Sequence, residues 1–220
     1  MKMIAVFEKA PRLRLIGHLD LMRAMQRALR RSGLPLRYSQ GFNPHILLTF
    51  ASPLSVGMPG QREIMEVPLE GQVSAEEFMR KLSAALPPDL PLLSARPVED
   101  RHPAPMALLA AALYEAKLEA VPEGLPGAVG RFLRQEAIPV MRKTKSGLRP
   151  ADIRPMIYDL RLAGDTLHMA LALSEKATCK PDLLLQTLFD FAGVERPAAR
   201  ITRTQLLGEA DGVLTPLENL

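Results

Sequence analysis

The first ten residues, MKMIAVFEKA, alternate apolar and polar side chains as a strand does, and LRLIG continues or follows that strand. Through HLDLMRAMQRALRRSG the period changes. Leu21, Met22, Met25 and Leu29 recur at spacings of three and four, which predicts a helix stopped by Gly33. Asp20 lies in its first turn, where exposed amides favour a carboxylate. HILLTFASPLSVGM is a long apolar stretch, and REIMEVPLEG alternates as its antiparallel neighbour. SAEEFMRKLSAALPP opens on a Ser-x-x-Glu capping box and closes at a double proline, so it reads as a second helix. LPLLSARPVE is a short fourth strand. The order is β-α-β-β-α-β, the split arrangement of a ferredoxin-like domain.

Beyond RHPAPM the order of elements repeats, although residue identity between the halves is slight. LYEAKLEAV alternates as a strand, and GAVGRFLRQE is a short helix opened by PEGLPG. Ile138 to Arg149 forms a strand or β-ribbon, and MIYDLRLAGDTLHMALAL is a hairpin turning at Ala163-Gly164-Asp165. KPDLLLQTLFDFAG is a helix with proline near its start and glycine at its stop, and ARITRTQLLG is the last strand. The expected fold class is α+β, two tandem ferredoxin-like domains with antiparallel sheets. The first spans residues 1–100 and the second 107–210, with a linker at 101–106 and a tail at 211–220. One merged sheet is the competing arrangement.

The chain has 220 residues, of which 47% are apolar, enough for a full core. No apolar run approaches the roughly 20 residues a membrane span needs. The N-terminus places charges inside its apolar stretch and shows no cleavage site, so it does not read as a secretory signal. The single cysteine, Cys179, leaves no internal disulfide and no cysteine-only metal cage. These features point to the cytoplasm.

The net charge of +4 is modest, but the charges are segregated. From Pro11 to His45 there are seven arginines and one acid, Asp20. From Pro139 to Pro155 there are five basic residues (Arg142, Lys143, Lys145, Arg149, Arg154) and one acid, Asp152. Two basic segments point to anion-binding faces, against the bland reading of two solvated basic surfaces. On the first helix Arg23, Arg27, Arg30 and Arg31 share a stripe apart from the Met/Leu face, spaced for guanidinium contacts to phosphates.

YSQGFNPH, residues 38 to 45, should emerge beside Arg30, Arg31 and Arg37. Tyr38 and Phe42 offer flat faces for stacking. Ser39, Gln40, Asn43 and His45 offer hydrogen-bonding edges, and Gly41 allows close backbone approach. The competing structural reading buries Phe42 and leaves Asn43-Pro44 as a plain turn. His18, in GHLD, reads as a helix cap, as an anion contact, or with Tyr38 and Lys145 as a candidate for acid–base catalysis on RNA. His18 and His45 without a third ligand make no metal site, so no metal is expected. RKTKSGLRPADIRP has the composition of a basic hairpin with its tip at Ser146-Gly147, fit to clamp phosphates or to dock an acidic partner. His102, His168 and Cys179 take structural roles. Iron–sulfur, Walker, dinucleotide and nucleophile-elbow motifs are missing, so no cofactor is expected.

FEKAPRLRLIGHLDLMRAMQRALRRSGLPLRYSQGFNPH, followed by LTFASPLSVGM, resembles the bacterial radical-SAM-linked (radical-SAM-associated) proteins. The likeness is strong over residues 4 to about 70 and weaker through RKTKSGLRPADIRP. Ala10-Pro11 replaces the family's glycine after the first strand, and Ile46 stands where a proline is common. The resemblance implies a stand-alone form of a domain otherwise fused behind, or encoded near, a cobalamin-binding radical SAM enzyme. That enzyme is the implied partner, with RNA the implied substrate class and no membrane involved.

The leading expectation is therefore a non-catalytic RNA-binding or substrate-presenting subunit of a radical SAM enzyme. Its contacts would be the arginines named above, Arg37, the YSQGFNPH loop and the second basic stretch. One alternative is a metal-independent endoribonuclease, since paired ferredoxin-like domains with a helix-start histidine resemble CRISPR-repeat-processing enzymes. A protein-docking module without nucleic acid is the other.

Overall fold

The computed structural model describes residues 1–144 and 147–220, with Lys143 and Thr144 described by their backbone alone. It is an α+β fold whose sheets are mostly antiparallel. The chain divides into two compact units, Met1–Leu109 with Arg203–Leu220, and Ala110–Thr202.

In the first unit the chain runs β1 (Lys2–Lys9), α1 (His18–Ser32), β2 (Thr49–Phe50), β3 (Gly60–Pro68), α2 (Ala75–Ser83) and β4 (Leu92–Val98), then a short helix α3 (Pro105–Leu108). β1 lies between β4 and β3, with β2 beyond β3, and each of these neighbours is antiparallel. Alternation turns Met3, Ala5 and Phe7 of β1 onto the apolar faces of α1 and α2, where they meet Leu21, Met25, Leu29, Phe78 and Leu82. Burying each such large side chain is worth about 1.5–3 kcal/mol. α1 stops at Gly33, and Ser74 caps α2 by accepting from the Glu77 N–H at 3.1 Å, both as the sequence predicts.

Two strand expectations are corrected. LRLIG is not strand, since Leu13 ends a 3-10 turn at Pro11–Leu13 and Arg14 to Gly17 follow as turn and coil, and HILLTFASPLSVGM keeps only Thr49–Phe50 as strand. Upstream, Ile46 pairs with Tyr38 instead of β3, and downstream Pro53 has no N–H to donate.

The second unit contains β5 (Leu109–Leu118), α4 (Leu125–Leu133), β6 (Pro139–Thr144), β7 (Gly147–Asp152), β8 (Ile157–Ala163), β9 (Thr166–Ala172) and α5 (Pro181–Ala192). β9 lies between β5 and β8, antiparallel to both, and β6 with β7 forms a separate antiparallel ribbon. The first residues of β10 (Ala199–Ala210) continue beside β5, where the Glu119 N–H donates to the Ala198 carbonyl at 2.9 Å. From Arg203 on, β10 belongs to the first unit, where Arg203 meets Gly60 of β3 in parallel. β11 (Val213–Pro216) then pairs antiparallel with β10 inside the segment the pattern leaves as a tail. Among the described residues no helix is long and apolar enough to cross a membrane.

Candidate nucleic-acid interface

A buried polar scaffold lies beside the residues that lead into GHLD. The last residue of β1, Lys9, turns inward and is 1% exposed. Its ammonium donates to the carbonyls of Ile16 at 2.9 Å, Arg14 at 3.3 Å and Met58 at 3.4 Å. Burial lowers its pKa below the ordinary lysine range; the Glu63 carboxylate opposes the shift and Arg203 adds to it. Nearby, the Arg203 guanidinium grips both Glu63 oxygens, at 2.9 and 2.5 Å, and donates to the Ser52 carbonyl at 3.1 Å. Gly60 makes room for this pair, because a β-carbon there would collide with the Glu63 side chain. These bonds hold the 10–17 and 51–59 segments together, and the Gly57 N–H reaches the Arg14 carbonyl at 2.8 Å.

α1 starts from this platform. Its N-cap is Gly17, and His18, expected as a cap, instead stands edge-on to the Phe50 ring with centroids 5.6 Å apart. The aromatic neighbour, half burying the imidazole, wins over the helix amides.

The loop after Gly33 closes on itself. Tyr38 and Ile46 form an antiparallel bridge, and the Leu47 N–H reaches the Arg37 carbonyl at 3.0 Å. Ser39 ties the next step inward. Its Oγ accepts from the His45 N–H at 3.1 Å and pairs with His45 Nδ1 at 2.8 Å, while its N–H donates to the His45 carbonyl at 2.9 Å. Gln40, Gly41, Phe42, Asn43 and Pro44 stand exposed beyond that closure. Gly41 has φ of 122°, a conformation side chains other than glycine's strain to adopt. Phe42 is fully exposed, so it does not bury as a core residue would. Tyr38 keeps 39% of its surface in water.

Gln26 fixes which side of α1 adjoins the loop, its Nε2 donating to the Ile46 carbonyl at 3.5 Å. At 100° per residue, Leu19, Arg23 and Arg30 project within about 60° of Gln26, and Arg27 about 100° away. All four arginines of the predicted stripe are exposed, but they differ in what they hold. Arg31 donates to the Ala85 carbonyl past the end of α2 at 2.8 Å, and Arg23 makes an exposed ion pair with Asp20 at 3.2 Å. Arg27 and Arg30 pair with no acid among the described residues. Arg37 is committed elsewhere: it grips Asp100 at 3.1 and 3.2 Å and donates to the Leu69 carbonyl at 3.1 Å. That hydrogen bond lowers the Asp100 pKa. An apolar group borders this surface. Leu15, Leu19 and Val56 are 68%, 66% and 64% exposed, and a β-carbon on Gly17 would lie 3.8 Å from Val56.

In the second unit Arg142 and Arg149 face each other across the β6–β7 ribbon. Arg154 serves structure, donating to the Leu133 carbonyl at 3.0 Å and the Ile157 carbonyl at 3.1 Å. The side chain of Lys143, and Lys145 and Ser146 altogether, lie outside the described residues. Cys179 is buried, which pushes its thiol up to about 11, with Arg142 opposing the shift. His168 faces Glu115 at 3.4 Å, and His102 meets the Pro103 carbonyl at 2.8 Å. Among the described residues no three His, Cys, Asp or Glu side chains converge as a metal would require.

Sequence reasoning missed Lys9, Glu63 and Arg203. The available signal was a charge at an inward strand position: Glu63 precedes Ile64 and Met65 within β3, and Lys9 follows the apolar run of β1. No curated protein matches the chain. Residues 2–181 match the model of DUF2344, described as an uncharacterized protein conserved in bacteria, and the chain belongs to that family.

Proposed function

We propose that this protein is a cytoplasmic, single-stranded-RNA-binding or substrate-presenting module serving a cobalamin-binding radical SAM enzyme. The observation that carries the RNA reading is Phe42, a fully exposed ring at the tip of a loop closed by Ser39 and His45. Stacking a base on such a ring is worth about 1–3 kcal/mol and demands no sequence. Gln40 and Asn43 flank the ring with hydrogen-bonding edges, and the exposed Arg23, Arg27 and Arg30 supply positive charge for phosphates. The radical SAM partner rests on the motif resemblance alone.

The strand orders β4-β1-β3-β2 and β10-β5-β9-β8 support reading each unit as a ferredoxin-like module, the second with the β6–β7 ribbon inserted after its first helix. Such a sheet-and-helix frame holds a loop rigidly for recognition.

Fluorescence anisotropy with labelled single-stranded RNA across a salt series tests the proposal. Changing Arg23, Arg27 and Arg30 together to alanine lowers the salt slope of binding by about 2, at roughly 0.7 per phosphate contact. Phe42→Ala weakens binding about 5- to 100-fold at any salt. Unchanged binding in both variants removes the reading.

A docking role has its own observation in Leu15, Leu19 and Val56, which RNA has no use for and an apolar protein face would cover. Leu15→Ser with Val56→Ser is expected to abolish co-purification with the enzyme partner while leaving the salt slope of RNA binding unchanged; retained co-purification rejects that surface. The endoribonuclease reading draws no comparable support, since His18 rests on Phe50.

A further inference from the structure

Within the second unit a groove of about 490 Å³ runs along α5 beneath β6. Its walls include Gln186, Asp190 and Phe191 of α5, one helical turn apart, with Phe132 of α4 and Val140 and Met141 of the ribbon. Phe191 is 41% exposed and braced edge-on by the buried Phe132, centroids 5.5 Å apart. The size suits one flat heterocycle.

The groove's polar groups are spent unevenly. Gln135 Nε2 donates to the Phe132 carbonyl at 3.1 Å, Gln186 Nε2 to Asp190 Oδ1 at 2.8 Å, and Thr187 Oγ1 to the Leu183 carbonyl at 2.8 Å. These bonds leave one N–H on each amide, and as acceptors the amide oxygens of Gln135 and Gln186 and Asp190 Oδ2, the last on the one charged side chain of the groove wall. The Asp190 carboxylate therefore favours a ligand that donates, as an exocyclic amino group does.

The ribbon that walls the groove also carries cations. Arg142 and Arg149 are register partners, so their side chains leave the same face of the ribbon, and alternation puts Val140 of the groove wall on that face. No acid pairs with either arginine among the described residues. A free amine or a lysine side chain would satisfy the acceptors but be repelled by these cations.

We propose that the groove binds one nucleotide of a single-stranded RNA, an amino-bearing base against Phe191 and Asp190 and its phosphate on Arg142 and Arg149. This rests on the RNA-binding reading above and adds a second, base-selective site to it.

The test titrates the full chain with labelled oligoadenylate and oligouridylate. Wild-type protein is expected to favour adenine, which has an amino group, over uracil, which has none. Asp190→Asn, with a melting temperature equal to wild type, collapses that preference several-fold. Arg142→Ala with Arg149→Ala lowers the salt slope by about 1.4 for both polymers. Phe42→Ala weakens binding of both equally and leaves the preference in place. If preference and slope survive Asp190→Asn and the double arginine change while Phe42→Ala still weakens binding, the groove proposal falls and the loop reading stands. A wild-type chain that binds neither polymer overturns both.

Discussion

Lys9 and Arg203 lie buried at one end of the first unit's sheet, whereas Arg23, Arg27 and Arg30 stand in water on α1. The buried pair is fully employed. Lys9 places its protons on three carbonyls, and Arg203 meets both oxygens of Glu63. The α1 row holds one exposed ion pair, Arg23 with Asp20, and Arg27 and Arg30 hold no acid among the described residues. A buried charge left unpaired would be intolerable, so its partners are built into the fold. An exposed charge is already satisfied by water and stays open to exchange for a ligand. Basicity along the chain thus divides into charges that hold the platform and charges that the platform displays.

Breaking the buried side of that division has the largest effect. Glu63→Ala strands the Arg203 guanidinium in the interior and is expected to cost about 3–5 kcal/mol, read as a lower urea midpoint. Arg27→Ala is expected to stay within about 0.5 kcal/mol of wild type in the same measurement. Equal losses in the two variants would erase the distinction. Gly60→Ala attacks the same pair without touching a charge, because the new methyl displaces the Glu63 carboxylate. A loss of about 1–3 kcal/mol is expected. It should be less than additive with Glu63→Ala, since both changes act on one contact.

A pH series sharpens the comparison further. Because the folded-state pKa of Lys9 lies below the ordinary value of 10.5, the unfolded chain binds more protons through the window between them. Lys9 therefore makes stability rise with pH as the ammonium's burial penalty is relieved, up to that ordinary value. The difference in stability between wild type and Lys9→Met should shift by that rise across the window. Arg27→Ala should show no such shift. A flat difference for Lys9→Met would mean that the three carbonyls repay the burial in full.

Much of this frame was legible from side-chain spacing. The α1 pattern, its stop at Gly33, the Ser74 cap and the β8–β9 hairpin follow from local chemistry, and local chemistry can be read along a chain. The Glu63–Arg203 pair cannot, because 140 positions separate its members and nothing near either announces the other. The same reason hid the α5 groove: Gln186, Asp190 and Phe191 look like an ordinary helix surface until β6 is laid beside them. The exposed loop was legible for its composition, but the division of labour among the arginines was not. Arg31, Arg37 and Arg154 resemble their neighbours in sequence and differ only in which carbonyl or carboxylate lies within reach.

The smallest expected effect concerns how the display is held. Ser39 makes two side-chain bonds to His45, and together with the backbone bond between the same residues they close the loop below Phe42. Ser39→Ala removes the side-chain bonds and keeps the backbone one. The pair lies at the surface, so water replaces what is lost and global stability should fall by no more than about 1 kcal/mol. Hydrogen exchange at the His45 amide should nonetheless quicken, because its acceptor is gone. RNA affinity should fall a few-fold, since ordering the loop becomes part of binding. Its salt slope should stay unchanged, as no phosphate contact is removed. Were affinity untouched while the amide exchanged faster, Phe42 would not depend on a pre-formed loop, and the closure by Ser39 and His45 would serve the fold alone.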